Sequence, residues 1–221
     1  MIADTRRERP SPFDVEADRY DLWFESREGK TIFKVEKDCL RTLVSGGKGL
    51  WLEVGVGSGR FAAAFSISQG LEPSSRMLAI AARRGIHAVR GRGEDLPYRD
   101  ATFDGVLMVT TLCFLTDIRR TLSECRRVLR PRGTLVVGIV PAESTWGQLY
   151  AAKGREGHAL YSKARFYTCR QVVHNCADAG FVLETAASCL LTSPDDEPTA
   201  CLEEGINESA GFVAMRFHKA E

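Results

Sequence analysis

The sequence has no apolar stretch approaching the length of a membrane span, no C-x-x-C pair, no internal repeat and no low-complexity tract. The first absence, together with a charged segment Met1–Pro10 where a secretory leader would be apolar, leads us to expect a cytoplasmic protein with no membrane partner. Cysteines are present but unpaired in pattern: Cys39, Cys113, Cys125, Cys169, Cys176, Cys189 and Cys201 are scattered, and the histidines stand at no ligand spacing from them. Reduced, mostly buried thiols and no metal are therefore expected. Charge of one sign is missing as well. Lys and Arg number 30 against 29 Asp and Glu, a formal net charge of +1, so no global field would draw the chain to nucleic acid. A small-molecule partner fits better.

At 221 residues with 44% hydrophobic content, the chain suits one α/β domain. Its most informative stretch is Leu52-Glu53-Val54-Gly55-Val56-Gly57-Ser58-Gly59, an apolar strand breaking into alternating glycines. Such a turn brings backbone closer to a ligand than side chains would allow. The spacing is G-x-G-x-G with an acid two residues before the first glycine, not the G-x-G-x-x-G of dinucleotide sites, which argues against a pyrophosphate.

Around that turn the pattern alternates. Residues 13–43 carry apolar positions at helical spacing, including Tyr20, Trp23 and Phe24, and the Ser45-Gly46-Gly47 cluster ends that region. Strands are expected near 50–54, 68–72, 87–90, 103–110 and 134–140. Helices are expected to start at Arg60 and to cover 74–84 and 117–129, with Pro131-Arg132-Gly133 stopping the last. Repeating βα units imply a Rossmann-like, doubly wound, mostly parallel sheet with an antiparallel edge strand, in a three-layer sandwich. The organisation reads as a helical lid over 1–45, a ligand-binding core over 46–140, an irregular cap over 141–168, and a final helix and strands over 169–221, within one domain.

In such a sheet the ligand sits at the carboxyl ends of the strands, where strand order reverses. Amides of Gly55 to Gly59 can hold a carboxylate, Glu53 an ammonium group, and Glu72, ending the second strand, a ribose diol. An amino acid joined to a ribose points to S-adenosyl-L-methionine. With Gly70-Leu71-Glu72-Pro73-Ser74, Gly93-Glu94-Asp95-Leu96-Pro97-Tyr98, Phe103-Asp104 and Arg127-Val128-Leu129-Arg130-Pro131-Arg132-Gly133 following in order, the chain resembles the class I S-adenosylmethionine-dependent methyltransferases, in particular their small-molecule, type 11 branch. The resemblance implies that Glu53, Gly55, Gly57, Ser58 and Gly59 hold the methionyl end and that Glu72 and Pro73 meet the ribose. It also implies that Gly93, Glu94 and Leu96 line the adenine edge and that Met77 packs on the ring. The family commonly has Asp where Arg92 stands, so Asp95 or backbone would have to meet the adenine amino group here.

Acceptor-side candidates are weaker. Thr110 and Thr111 end the fourth strand, where a hydroxyl could face the methyl or simply cap the next turn. Tyr20, Trp23 and Phe24 fit a lid or a core-packing helix, and His158, Tyr161 and Arg165 either contact substrate or serve structure. Cys113 reads as a buried thiol rather than a nucleophile. No residue is marked as a base, so in-line methyl transfer by positioning is the expected chemistry. Two rivals remain: a binding regulator that accepts no substrate, and a nicotinamide oxidoreductase, which the glycine spacing disfavours.

Overall fold

A computed structural model describes residues 11–44 and 49–220. The charged leader and the Ser45-Gly46-Gly47 turn lie outside them. Among the described residues, an eight-stranded sheet runs in the order β3-β2-β1-β4-β5-β8-β6-β7. Its strands are β1 (Trp51–Val54), β2 (Gln69–Glu72), β3 (His87–Arg90), β4 (Phe103–Val109), β5 (Leu129–Ile139), β6 (Phe181–Cys189), β7 (Glu203–Glu204) and β8 (Phe212–Lys219). The first five are parallel, and the order reverses between β1 and β4. The two-residue edge strand β7 is antiparallel to β6, and β8 is a second antiparallel member inserted between β5 and β6.

Side chains alternate across this sheet, so each face builds its own core. Leu52, Val54, Val106, Met108 and Leu135 meet helices α5 (Ile118–Val128) and α7 (Cys169–Asp178) on one side. Trp51, Leu107, Val136 and Phe212 meet α2 (Arg27–Arg41), α3 (Arg60–Ala64) and α6 (Thr145–Arg155) on the other. That is the three-layer arrangement. Helix α5 shows its cause: Thr121, Leu122, Cys125 and Val128 recur at helical spacing and are the residues buried. No helix among the described residues is long and apolar enough to cross a membrane.

One boundary, at Pro131-Arg132-Gly133, differs from the sequence expectation, and two helical regions take definite form. The helical region divides into α1 (Pro12–Trp23) and α2 because Ser26 caps the second helix, its Oγ accepting from the Gly29 amide. Pro131-Arg132-Gly133 lies inside β5 rather than ending α5. Leu129 is already extended and pairs with Phe103, and the register then jumps to Gly105 opposite Thr134 across a bulge where Arg132 has φ 60°. The cap region contains the regular helix α6 before it becomes irregular.

Trp51 lies flat over Gly105, where an added Cβ would come within 2.3 Å of its ring. Both strands are central and the indole is buried, so the ring has little room to yield. Gly105→Ala should cost about 1–3 kcal/mol by overpacking, read as a lower urea midpoint at unchanged slope; equal stability would show that the ring relocates freely.

Candidate active site

At the carboxyl ends of β1 and β4, where strand order reverses, a cavity of about 270 Å³ opens beneath α1. Gly55, Gly57 and Gly59 all take positive φ, and a Cβ on Gly57 would meet nothing within 4 Å. The turn therefore presents bare backbone to open space. Glu72 faces the same space from the end of β2. Its Oε2 accepts from the Gly57 amide at 3.0 Å and its Oε1 from the Ser74 amide at 2.9 Å. A carboxylate offers about four acceptor sites, so these two bonds fix the group's direction and leave lone pairs for a ligand. Burial raises its proton affinity, and the two amides oppose that.

Helix α1 (Pro12–Trp23) covers the cavity through Ser11, Phe13 and Tyr20. It is tied down by two carboxylates. Asp14 Oδ1 accepts from Ser74 Oγ at 2.7 Å; burial would raise its pKa, but bonds from Ser74, Ser11 and Arg76 hold it down at about 2. Asp21 joins α1 to two helices at once, accepting from Arg60 Nε at 2.8 Å and from Arg84 Nη2 at 2.9 Å. Burial again pushes its pKa up, and the two guanidiniums outweigh it and lower the pKa. Thr110, at the end of β4, lines the cavity with φ 48°, a strained value for a β-branched residue.

The structure gathers Gly55, Gly57, Glu72, Pro73, Met77, Gly93, Glu94, Thr110, Thr111 and Tyr20 around this space. It does not bring the remaining expected residues to its wall. Glu53 lies 2% exposed, with Oε2 buried and unpartnered. Burial drives its proton affinity well up, with the Ala62 amide opposing and Glu72 adding to it. Ser58 and Gly59 are buried, the backbone of the first accepting from Arg84 and the second capping α3. Asp95 is exposed, and Leu96 packs in the core. Trp23 faces outward, while Phe24 is buried edge-on to Tyr20 and Phe33. His158 Nδ1 accepts from the amides of Leu160 and Tyr161, which spends it on the chain itself. The Arg165 guanidinium lies over Tyr167.

Known proteins carry the same features. A family model described as a methyltransferase domain, the type 11 kind, matches residues 52–137. A solved Thermotoga maritima structure, described as a SAM-dependent methyltransferase and "possible histamine N-methyltransferase", is 35% identical, covers 94% of this chain and 98% of its own, and superposes with a TM-score of 0.86. The chain belongs to the S-adenosylmethionine-dependent methyltransferases. An uncharacterized Mycobacterium tuberculosis protein is 38% identical over 97% of this chain and 76% of its own length. Another from Methanocaldococcus jannaschii is 35% identical over 94% and 98%. The nicotinamide reading is thereby set aside.

As a methyltransferase, the protein uses S-adenosyl-L-methionine, and the cavity fits it. Gly57 leaves a gap that no side chain fills, Glu72 offers fixed acceptors beside it, and Met77 is fully buried behind. Arg92 also lines the cavity, with Nη2 donating to Thr116 Oγ1 at 2.7 Å. Glu94 turns its carboxylate to the amides of Thr116 and Asp117, and its carbonyl accepts from Arg120 Nε at 2.7 Å.

Sequence reasoning missed two groups. One is the start of α1, Ser11 to Phe13, whose S-x-x-D capping box is readable in the sequence. The other is Glu36, a charge set within the apolar stripe Ile32, Val35, Cys39 and Leu40 of α2. That misplaced charge is a signal in itself. Glu36 is 8% exposed, and burial pushes its pKa up to about 8.

Because the folded state holds this proton more tightly than the unfolded chain, the stability it contributes is complete below about pH 4.5 and is lost as pH rises through about 8. Glu36→Gln should therefore match the wild type near pH 5 and exceed it by a few kcal/mol, on the order of 3–5, at pH 9. Chemical denaturation across this range checks it; a difference independent of pH would refute the buried, unpaired state of the carboxyl.

Proposed function

We propose that this methyltransferase acts on a small-molecule acceptor bound between α1, the end of β4 and the segment 141–168. The observation that carries this reading is the continuity of one cavity from Gly57 and Glu72 to Tyr20, Phe114 and Leu160 beneath α1. That space, about 270 Å³ in all and shared with the cofactor, leaves room under the covering helix for a compact acceptor only. S-adenosyl-L-methionine supplies an electrophilic methyl on a sulfonium.

The chain's own residues hold and enclose. Amides of the glycine turn meet the methionyl end, Glu72 the ribose and Gly93 the adenine edge. Phe13, Phe114 and Leu160 keep water from the acceptor end, and α1, secured by Asp14 and Asp21, serves as the lid. Cys113 is no nucleophile in this scheme, since burial pushes its thiol to about 12 and its Sγ donates to the Thr110 carbonyl. Positioning and desolvation are the means these residues have. Seven free cysteines suit a reducing, cytoplasmic setting.

Saturation with S-adenosylhomocysteine, at about a hundredfold over its Kd, should stabilise the fold by about 2.7 kcal/mol and raise Tm by roughly 5–10 °C. Glu72→Gln keeps the shape but halves the charge-assisted acceptors, so calorimetry should show S-adenosylhomocysteine binding weakened roughly 10- to 100-fold. Unchanged affinity would remove the ribose assignment. A cofactor that binds while no acceptor is ever methylated would favour the silent regulator.

A further inference from the structure

We propose that Lys163 sets the specificity of the acceptor end, and that this end takes a compact organic carboxylate, its apolar body against Phe13, Phe114 and Leu160 and its anionic group at Lys163. The inference rests on the methyltransferase reading and names the substrate class for it.

The charges on the cavity wall carry it. Four charged side chains line the space: Glu72, Arg92, Glu94 and Lys163. Three are committed to the chain itself. Glu72 accepts from the Gly57 and Ser74 amides, and Glu94 from those of Thr116 and Asp117. Arg92 donates to Thr116 Oγ1 at 2.7 Å and stands 3.6 Å from Glu94. The Lys163 ammonium group has neither a hydrogen bond nor an ion pair among the described residues. It lines the cavity and is exposed, so it stands at the mouth of the space rather than in its depth.

The wall beside it is carbon. Phe13 meets Phe114 edge-on with centroids 4.9 Å apart and Tyr20 at 6.2 Å, and Leu115 and Leu160 complete that side. An ion pair on open surface is worth little, but beside walls that exclude water the same pair is screened less.

Backbone bonds fix the lysine against this wall. The Lys163 amide donates to the Leu160 carbonyl at 2.9 Å, and the Arg165 amide donates to the Cys113 carbonyl at 2.7 Å, which fastens the segment to the turn that carries Phe114. From the other side α6 packs so closely that a Cβ on Gly154 would come within 2.6 Å of the Tyr161 carbonyl oxygen. Cation and apolar wall therefore keep one spacing and can act on one ligand.

The wider field has the same sign. Residues 141–168 carry Lys153, Arg155, Lys163 and Arg165 against Glu143 and Glu156, in a chain whose formal net charge is +1. The sulfonium of the cofactor adds a positive charge at the other end of the cavity. An anionic acceptor is drawn by both, and an ammonium is repelled by both.

The test is calorimetric titration of the protein, saturated with S-adenosylhomocysteine, using phenylacetate, benzoate and hexanoate, each with the alcohol and the amine of the same carbon skeleton as controls. At least one carboxylate should bind roughly tenfold or more tighter than its alcohol, and its amine more weakly than either. That preference should shrink as salt rises. Lys163→Gln should abolish it and Lys163→Arg should keep most of it, with S-adenosylhomocysteine affinity within about twofold in both. Lys163 is exposed, so neither variant threatens the fold. Phe114→Ala should weaken acid and alcohol alike, which separates contact with the body from attraction of the charge. Carboxylates that bind no better than their alcohols, or that keep their preference in Lys163→Gln, overturn the proposal. Failure of S-adenosylhomocysteine to bind the wild type would instead strike the methyltransferase reading.

Discussion

The two amide hydrogen bonds to the Glu72 carboxylate organise the site. They tie the β1–α3 turn, through Gly57, to the turn between β2 and helix α4 (Ser75–Arg83), through Ser74, and so fix the two loops that meet where strand order reverses. The Ser74 hydroxyl then donates to Asp14, which extends the chain of bonds from the glycine turn to the covering helix. One acid on β2 thus sets the direction of ligand-facing lone pairs, the shape of the turn and the seat of α1. Charged hydrogen bonds of this kind, largely shielded from water, are worth more than exposed ones. The carboxylate is held in one orientation, so little reorganisation remains when a ligand arrives.

Around this centre the fold buries carboxyl groups that form no ion pair with a basic side chain among the described residues. Glu53 and Glu72 are buried toward the carboxyl ends of β1 and β2, Glu36 is buried on α2, and burial raises the proton affinity of each. A sheet designed only for stability would carry apolar residues at such positions. Cations elsewhere are committed to structure: Arg60 and Arg84 to Asp21, and Arg127 to Glu124 and Asp100. Of these acids, Glu72 faces the cavity, and in poorly solvated surroundings its attraction for a cation is stronger than at the surface.

The parallel sheet, its order of βα units and the cofactor half of the site were legible in the sequence because each depends on local pattern. Leu52 to Gly59 encodes a strand and its turn within eight residues, and Glu72 follows at the end of the next strand. Ser74, Asp117 and Thr168 announce three helix starts with side chains that accept from the first turn. Long-range pairing was less legible. That β8 slips between β5 and β6 depends on backbone bonds across the sheet, such as Val136 opposite Arg216, which no local periodicity records. The bulge at Arg132 was misread for the same reason: Pro and Gly mark a break, but only pairing with β4 decides whether a strand resumes across it.

The acceptor side resisted reading for a different physical reason. The groups that wall the cavity opposite Glu72 come from α1, the end of β4 and the turns after β4 and α6, far apart in the chain, and each is ordinary in its own context. His158 and Arg165, the polar residues that sequence reasoning singled out there, prove to serve the chain itself, one by accepting backbone amides and the other by lying over Tyr167. Glu36 is marked in the sequence only by its place within the apolar stripe of α2, and burial shows what that place costs. A glutamate at that heptad position is unremarkable on a solvent face and costly on a core face, and the difference between those faces is set by packing on β6 and β8. The glycine turn is written in consecutive residues, whereas the far wall of the cavity is assembled by tertiary contact, and only packing brings Phe13, Phe114 and Leu160 to one space.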